Sequence, residues 1–115
     1  VMDFWATWCG PCLTELPEYV QFAERNRARG VEVVGVVFDS GEPKEIQDFV
    51  REHRVTYRQL LGNYDLAEAF GGNQGFPTTF VIDGNGLIRL TVLGSTQDMF
   101  DRLLKAVDEA LAVQG

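Results

Sequence analysis

The sequence has few of the residues that most metal-binding sites need. It contains one histidine and two cysteines in 115 residues. A structural zinc site uses about four ligands, and beyond the two cysteines only His53 and scattered acidic residues are available. A peroxidase is also disfavoured, because no cysteine lies outside the pair. The composition therefore predicts neither a zinc site nor a peroxidase.

Positive charge and long apolar runs are also scarce. Ten lysines and arginines stand against 17 aspartates and glutamates, which gives a formal net charge of −7. An acidic chain is a poor partner for nucleic acid and for anionic membrane surfaces, because like charges repel. No apolar run approaches the ~20 residues that span a bilayer. With 45% hydrophobic and 23% charged residues, the sequence predicts one globular domain over residues 1–115.

The two cysteines lie close together in Cys9-Gly10-Pro11-Cys12, shortly after the apolar run of residues 1–6. Apolar residues at helical spacing follow them, among them Leu16, Tyr19 and Ala23. This pattern predicts a strand that ends in a turn, with both thiols at the start of a helix. Unsatisfied N–H groups and the positive end of the helix dipole favour the thiolate, which is the nucleophile in disulfide exchange. The motif therefore predicts a reversible dithiol.

The residues of the motif have distinct predicted roles. Cys9 is the better candidate nucleophile, because it lies outside the helix, whereas Cys12 lies in the first turn and would resolve the mixed disulfide. Gly10 allows the turn to form, and Pro11 fixes the backbone φ at the helix start. Trp8 directly precedes the first thiol, and we predict that it shapes the surface that contacts a substrate.

Two separated motifs give the chain a resemblance to a known family. Residues 5–12 read Trp-Ala-Thr-Trp-Cys-Gly-Pro-Cys, and Glu15-Leu16-Pro17 follows them. Residues 75–83 read Gly-Phe-Pro-Thr-Thr-Phe-Val-Ile-Asp, and Gly86-Leu87-Ile88 follows. In this order they resemble the thioredoxin superfamily, and within it the TlpA/ResA-like thiol-disulfide oxidoreductases. The resemblance spans almost the whole chain. It implies a thioredoxin fold, with a central mixed sheet flanked by helices, and a redox-active disulfide in place of any cofactor.

The resemblance also implies roles for residues whose types alone decide little. Pro77 matches the cis-proline beside the dithiol of this superfamily, although most X-Pro bonds are trans. A cis bond would leave the backbone of Phe76 free to pair with an extended substrate segment. Asp3 matches the buried acid of thioredoxins, and Glu15 matches the active-site glutamate of ResA-like proteins. By residue type alone Glu15 is a solvated helix residue, so both interpretations stay open, as does which acid accepts a proton.

The rest of the pattern predicts alternating strands and helices. The predicted elements are a first strand within residues 1–6, a helix over 11–29, a strand over 31–38, a helix from Pro43, a short strand over 57–61, a short helix over 65–70, strands over 78–82 and 87–93 joined by a hairpin, and a last helix capped by Ser95 or Thr96. The first two strands need a crossover, so they should be parallel.

His53 is predicted to be exposed at the end of the second helix. Five apolar residues share one face of the last helix, which predicts their burial: Phe100, Leu103, Leu104, Val107 and Leu111.

Three functions fit these predictions. The first is a thiol-disulfide oxidoreductase that reduces protein disulfides outside the cytoplasm, as the resemblance implies, and cytochrome c maturation is one task of that family. The second is a general cytoplasmic thioredoxin, which the Cys-Gly-Pro-Cys motif and Asp3 favour. The third is a redox-inactive binding or chaperone module whose thiols stay paired. The first two need protein disulfide substrates and an upstream thiol electron donor, and we expect a monomer that binds no nucleic acid.

The start of the chain lies inside the first predicted strand, because the sequence opens with Val1 rather than an initiator methionine. Members of the resembling family usually carry residues before this point, including another strand and a signal or membrane anchor. We therefore expect a thioredoxin-like domain that is truncated at its N-terminus. An anchor would lie in a segment that this sequence does not contain.

Overall fold

The computed structural model describes residues 1–72 and 74–113. Asn73, in the glycine-rich stretch, and residues 114–115, at the end of the predicted domain, lie outside these ranges. In chain order the elements are β1 (Met2–Trp5), α1 (Gly10–Asn26), β2 (Val34–Val37), α2 (Pro43–Glu52), β3 (Arg58–Leu61), α3 (Tyr64–Ala69), β4 (Thr78–Ile82), β5 (Ile88–Leu93) and α4 (Met99–Ala112). The predicted order of strands and helices is confirmed.

The five strands form one mixed sheet in the order β3-β2-β1-β4-β5. β1 pairs in parallel with β2, and β2 in parallel with β3. On its other side β1 pairs antiparallel with β4, which pairs antiparallel with β5. The predicted mixed sheet and the parallel first pair are therefore confirmed. β1 is the central strand, and its C-terminal end leads directly into the turn that carries the dithiol.

β2 is shorter than predicted, since the prediction placed a strand over residues 31–38. The N–H group of Val31 donates to the carbonyl of Asn26, 3.3 Å away, at the end of α1. Val31, the first residue of the β-branched run, therefore closes the preceding helix instead of extending β2. Gly30 makes this turn possible, because its φ of 83° lies in the left-handed region that glycine adopts without strain.

Alternate residues of each strand face opposite sides of the sheet. One face packs against α1, α2 and α4 and forms the larger core, in which Trp5, Leu16 and Leu103 are at most 2% exposed. Both cysteines belong to this core. The other face forms a smaller aromatic core around Phe4 and Phe80, against which residues of α3 pack. The chemistry of the dithiol therefore borders the larger core.

The start of α4 differs from the prediction. The helix begins at Met99 with Asp98 as its N-cap residue, whereas the sequence predicted a cap at Ser95 or Thr96. The hydroxyls of both predicted caps have other partners. Ser95 donates to Glu15 of α1, and Thr96 Oγ1 donates to Asp98 Oδ1 at 3.0 Å. A contact across the fold, which local sequence cannot report, thus removes Ser95 from the helix start.

The predicted burial of Leu104 is wrong, because its side chain is 39% exposed. Leu104 lies one residue beyond Leu103, and one residue rotates a helix by more than a quarter of a turn. Phe100 and Leu111 pack against the larger core as partly buried residues. The fully buried positions of α4 follow a single stripe: Met99, Leu103, Ala106, Val107 and Ala110.

His53 is the C-cap residue of α2 and is exposed, as predicted. Its ring stacks on Phe49 with centroids 3.9 Å apart, and its Nδ1 lies 3.0 Å from the Phe49 carbonyl oxygen. Within residues 1–72 and 74–113, no three His, Cys, Asp or Glu side chains are grouped so that they could hold a metal ion. None of the helices in these ranges has the length and apolar character needed to cross a membrane.

Candidate active site

The two cysteines lie at the junction of β1 and α1. Cys9 is the N-cap residue of α1 and Cys12 lies in its first turn, which confirms their predicted position. A disulfide joins them, with Cα atoms 5.2 Å apart. The backbone N–H of Cys12 donates to Cys9 Sγ at 3.3 Å. The helix start thus directs an N–H group without an intrahelical partner at this sulfur, which favours a thiolate there after reduction.

The two cysteines differ in their access to solvent. Cys9 is 6% exposed and Cys12 is 1% exposed. Gly10 and Pro11 between them are exposed, and Trp8 is 64% exposed. A disulfide of another protein can therefore approach Cys9 from solvent more easily than it can approach Cys12, which lies beneath the turn.

Aromatic contacts connect the second motif to the dithiol turn. The Phe76-Pro77 peptide bond is cis, and the Pro77 side chain is fully buried. The ring of Phe76 packs edge-on against Trp8, with centroids 5.8 Å apart, and stacks on Phe38 at 5.4 Å. The indole Nε1 of Trp8 donates to the carbonyl oxygen of Asp39 at 2.9 Å. The two motifs, which are far apart in sequence, thus form one surface beside Cys9.

Asp3 lies in the central strand, and its side chain points into the larger core at 1% exposure. Its neighbours in the sheet are Gly35 of β2 and Thr79 of β4. Thr79 Oγ1 donates to Asp3 Oδ1 at 3.4 Å.

Gly35 leaves room for the Gln59 amide, because a Cβ at this position would lie 2.2 Å from Gln59 Oε1. That oxygen accepts a hydrogen bond from Trp5 Nε1 at 2.9 Å.

Burial raises the pKa of Asp3 well above its ordinary value, and the negative charge of Glu15 raises it further. The hydrogen bond from Thr79 lowers the pKa, but it does not offset the cost of burial. The Asp3 carboxyl therefore keeps its proton to a higher pH than an exposed aspartate does. A carboxyl whose pKa is raised is a stronger base than an exposed aspartate, which suits it to accept a proton from a thiol.

Glu15 lies on α1, one turn after Cys12, and is only 4% exposed. The interpretation of Glu15 as a solvated helix residue is therefore wrong. It shares the buried face of α1 with Leu16, and the segment after β5 covers it, where Ser95 Oγ donates to Glu15 Oε2. Burial raises the pKa of Glu15, the Ser95 hydrogen bond lowers it, and the charge of Glu18 raises it. Glu15 Oε1 is buried without a hydrogen-bond partner among the described residues.

The structure adds residues that the sequence did not single out. Tyr19 fell on the predicted core face of the first helix, and its hydroxyl lies 2.6 Å from Thr79 Oγ1. Burial, and then the charge of Asp3, raises the pKa of Tyr19 far above its ordinary value, so its hydroxyl stays protonated. One signal in the sequence could have indicated Thr79. A polar residue in a buried strand needs a polar partner, and Asp3 of the other buried strand is such a residue.

The Ser95 contact leads to a prediction about Glu15. We expect Ser95→Ala to raise the pKa of Glu15, because it removes a hydrogen bond that stabilises the carboxylate. The midpoint of the Glu15 titration should move up by about one pH unit, which carbon NMR of the side-chain carboxyl would measure. Thr96→Ala is the matched control, since this neighbouring hydroxyl donates to Asp98 instead. Equal midpoints in the two variants would contradict the prediction.

Comparison with known proteins agrees with this geometry. The sequence profile of the AhpC/TSA family matches residues 1–91. The thiol-disulfide oxidoreductase ResA of Geobacillus thermodenitrificans is 32% identical over 95 residues, which cover 82% of this chain and 53% of that protein. The thiol:disulfide interchange protein HelX of Rhodobacter capsulatus is 32% identical over 115 residues, which cover 97% of this chain and 60% of that protein. The chain therefore spans between half and two thirds of the length of these relatives.

A solved structure shows the same fold. The crystal structure of a thiol:disulfide interchange protein of the thioredoxin family from Chlorobium tepidum superposes with a TM-score of 0.79 at 31% identity. The match covers 96% of this chain and 77% of that one. The predicted thioredoxin fold and the resemblance to the ResA-like branch are confirmed. On the match of residues 1–91 and on these similarities, the chain belongs to the AhpC/TSA family of thioredoxin-fold proteins.

Proposed function

We propose that this domain is a thiol-disulfide oxidoreductase that reduces protein disulfides by exchange with the Cys9–Cys12 dithiol. The observation that carries the proposal is the disulfide at the start of α1, with a buried carboxyl on each of two neighbouring elements. Such a pair can pass two electrons to a substrate without a cofactor. The names of the relatives, which describe thiol-disulfide oxidoreductase and interchange proteins, support the same chemistry.

The reaction has two exchange steps. In the reduced protein the Cys9 thiolate attacks one sulfur of the substrate disulfide, which forms a mixed disulfide and releases the first substrate thiolate. Cys12 then loses its proton to Asp3 or Glu15, and its thiolate attacks Cys9 Sγ. This step forms the Cys9–Cys12 disulfide and releases the second substrate thiolate. The two substrate thiolates take up protons, and an upstream dithiol donor reduces the pair again.

Substrate binding is assigned to the exposed surface around the turn. Trp8 and Phe76 form an aromatic pair beside Cys9, and the exposed Gly10 and Pro11 leave room for an approaching chain. An extended substrate segment would pair with the backbone next to Pro77, in the manner of a strand added to a sheet edge. The aromatic pair favours substrates that present apolar side chains next to their disulfide.

The proposal includes a function outside the cytoplasm with protein disulfides as substrates, and its support is the resemblance to the ResA-like branch. Cytochrome c maturation is one of several tasks of the family that this chain resembles. A general cytoplasmic thioredoxin would use the same chemistry, and the sequence motif Cys-Gly-Pro-Cys fits it as well. A redox-inactive binding module is the alternative from a different class.

Reduction of insulin disulfides separates an active dithiol from an inert module. With dithiothreitol as the donor, the protein should precipitate insulin chains much faster than dithiothreitol alone. Protein whose two thiols have been alkylated after reduction serves as the control, and it should give the background rate. A folded protein that reduces fully but never exceeds the alkylated control would overturn the proposed activity and favour the binding module.

A further inference from the structure

We propose that Tyr19 and Thr79 are positioning residues that set how readily Asp3 takes up a proton, through a chain of two buried hydroxyls. The inference rests on the proposed function, in which a buried carboxyl accepts the proton of Cys12. Neither hydroxyl touches the thiols or a substrate in this scheme. Both act through the Asp3 carboxyl.

The geometry of the chain joins three elements. The Tyr19 hydroxyl on α1 lies 2.6 Å from Thr79 Oγ1 on β4, and Thr79 Oγ1 lies 3.4 Å from Asp3 Oδ1 on β1. All three residues are at most 1% exposed. The register of the sheet fixes the second contact, because Thr79 and Asp3 are direct partners in the antiparallel β1–β4 pair. The backbone therefore holds the donor and the acceptor opposite each other.

The chain has a direction. Thr79 carries one hydroxyl hydrogen, which it donates to Asp3. The hydrogen between Tyr19 and Thr79 must then come from Tyr19, whose hydroxyl stays protonated because burial raises its pKa. Both hydrogens thus point towards Asp3. Hydrogen bonds to an ionised acceptor are about twice as strong as neutral ones, and a chain of them strengthens each member. The chain therefore favours the carboxylate over the protonated acid.

This preference matters for the resolving step. Only the ionised Asp3 carboxylate can accept the proton of Cys12, which frees the Cys12 thiolate to attack Cys9 Sγ. Burial works against ionisation, and the hydroxyl chain offsets part of that effect. Without the chain, Asp3 would keep its own proton to a higher pH. A smaller fraction of the protein would then have the ionised Asp3 carboxylate that accepts the proton of Cys12. The proton then leaves Asp3 for solvent before the next cycle.

The other ionisable groups around Asp3 act differently. Glu15, also on α1, opposes ionisation of Asp3 through its negative charge. Tyr57 lies just before β3 and is buried in the same core. Burial, and then the charge of Asp3, raises the pKa of Tyr57. Its hydroxyl is not part of the chain that joins Tyr19, Thr79 and Asp3. Cys9 and Cys12 do not titrate while they are joined. No lysine, arginine or histidine within the described ranges forms an ion pair with Asp3.

The test is a titration of the Asp3 carboxyl by carbon NMR in the oxidised protein, where no thiol ionises. Thr79→Val removes the direct donor and should raise the midpoint by about one pH unit. Tyr19→Phe leaves that donor but removes its partner, so the midpoint should rise by about half a unit. Thr79→Ser keeps the hydroxyl and should restore the parent midpoint. Tyr57→Phe is the matched control, since it removes a buried tyrosine hydroxyl outside the chain, and its shift should be smaller than that of Tyr19→Phe.

The outcomes separate this inference from the proposed function. If Tyr19→Phe leaves the Asp3 midpoint where it was, or shifts it no more than Tyr57→Phe does, the inference is overturned, whatever the kinetics show. If the midpoints shift as expected, the inference holds. Stopped-flow rates of the resolving step would then show whether the pH profile follows the midpoint. A profile that does not follow it would remove Asp3 from the proposed reaction and leave the hydroxyl chain intact. If Thr79→Val does not fold, Tyr19→Phe and its control decide.

Discussion

The Cys12→Ser variant accumulates covalent adducts with disulfide-containing proteins through Cys9, whereas the Cys9→Ser variant accumulates none. This result is expected because Cys9 caps the helix and receives the N–H of Cys12, while Cys12 is the more deeply buried sulfur. Without a thiol at position 12, the mixed disulfide has no internal nucleophile to release it. Turnover in both variants should fall to the rate of dithiothreitol alone, and mass spectrometry of non-reduced insulin mixtures would locate the adducts.

The two cysteine variants are matched controls for each other. Each keeps one thiol and replaces the other by a hydroxyl that cannot form a disulfide, so differences in trapping report the position of the remaining thiol. Adducts on Cys12 in the Cys9→Ser variant, with none on Cys9 in the other, would reverse the assignment of the two roles. Equal trapping by both would mean that the helix start does not distinguish them.

Asp3→Asn should slow the resolving step by about 10²-fold near neutral pH, since a positioned general base typically contributes 10²–10⁴-fold. The sign of the pH dependence follows from the raised pKa of Asp3. In the parent protein the rate should rise as pH increases through that pKa, because only the carboxylate accepts a proton. In the variant this rise should disappear, and the rate should increase only as Cys12 itself ionises. Attack by Cys9 should change much less.

Stopped-flow reduction of a small aromatic disulfide across pH would resolve the two steps. Glu15→Gln is the comparison, and a larger effect there than in Asp3→Asn would make Glu15 the proton acceptor. Unchanged profiles in both variants would leave both acids structural.

Thermal unfolding of the oxidised protein checks the fold. Because the folded-state pKa of Asp3 is raised, the parent fold loses stability as pH rises from the ordinary value of 3.8 towards the folded-state pKa, so Asp3→Asn should be more stable than its parent at neutral pH. The gain should vanish below the ordinary value of 3.8.

Features that depend on neighbouring residues could be predicted from the sequence. The dithiol turn needs only a strand end, Gly10, Pro11 and a helical pattern behind them. The β4–β5 hairpin is equally local, since Asp83 Oδ1 accepts the N–H groups of Asn85 and Leu87 at 2.9 and 3.0 Å. The order of the elements followed from the same kind of pattern.

Features that depend on distant residues could not be predicted in this way. Ser95 reads as a helix cap, and only its contact with Glu15, 80 residues away, shows otherwise. The same contact explains why Glu15 is buried although its residue type favours solvent. The contact between Asp3 and Thr79 spans 76 residues and depends on the exact pairing of two strands. A single sequence does not specify which residues of two distant strands pair with each other.

The active site thus combines a local part and a distributed part, and they would behave differently on transfer to another protein. The dithiol and its activating N–H group lie within one helical turn, so grafting residues 8–12 onto a foreign strand–helix junction should carry the nucleophile along. The surroundings of Asp3 come from β1, α1 and β4 together. A graft would leave them behind. Such a chimera should form mixed disulfides readily but release them slowly, which would make it a disulfide trap rather than a reductase.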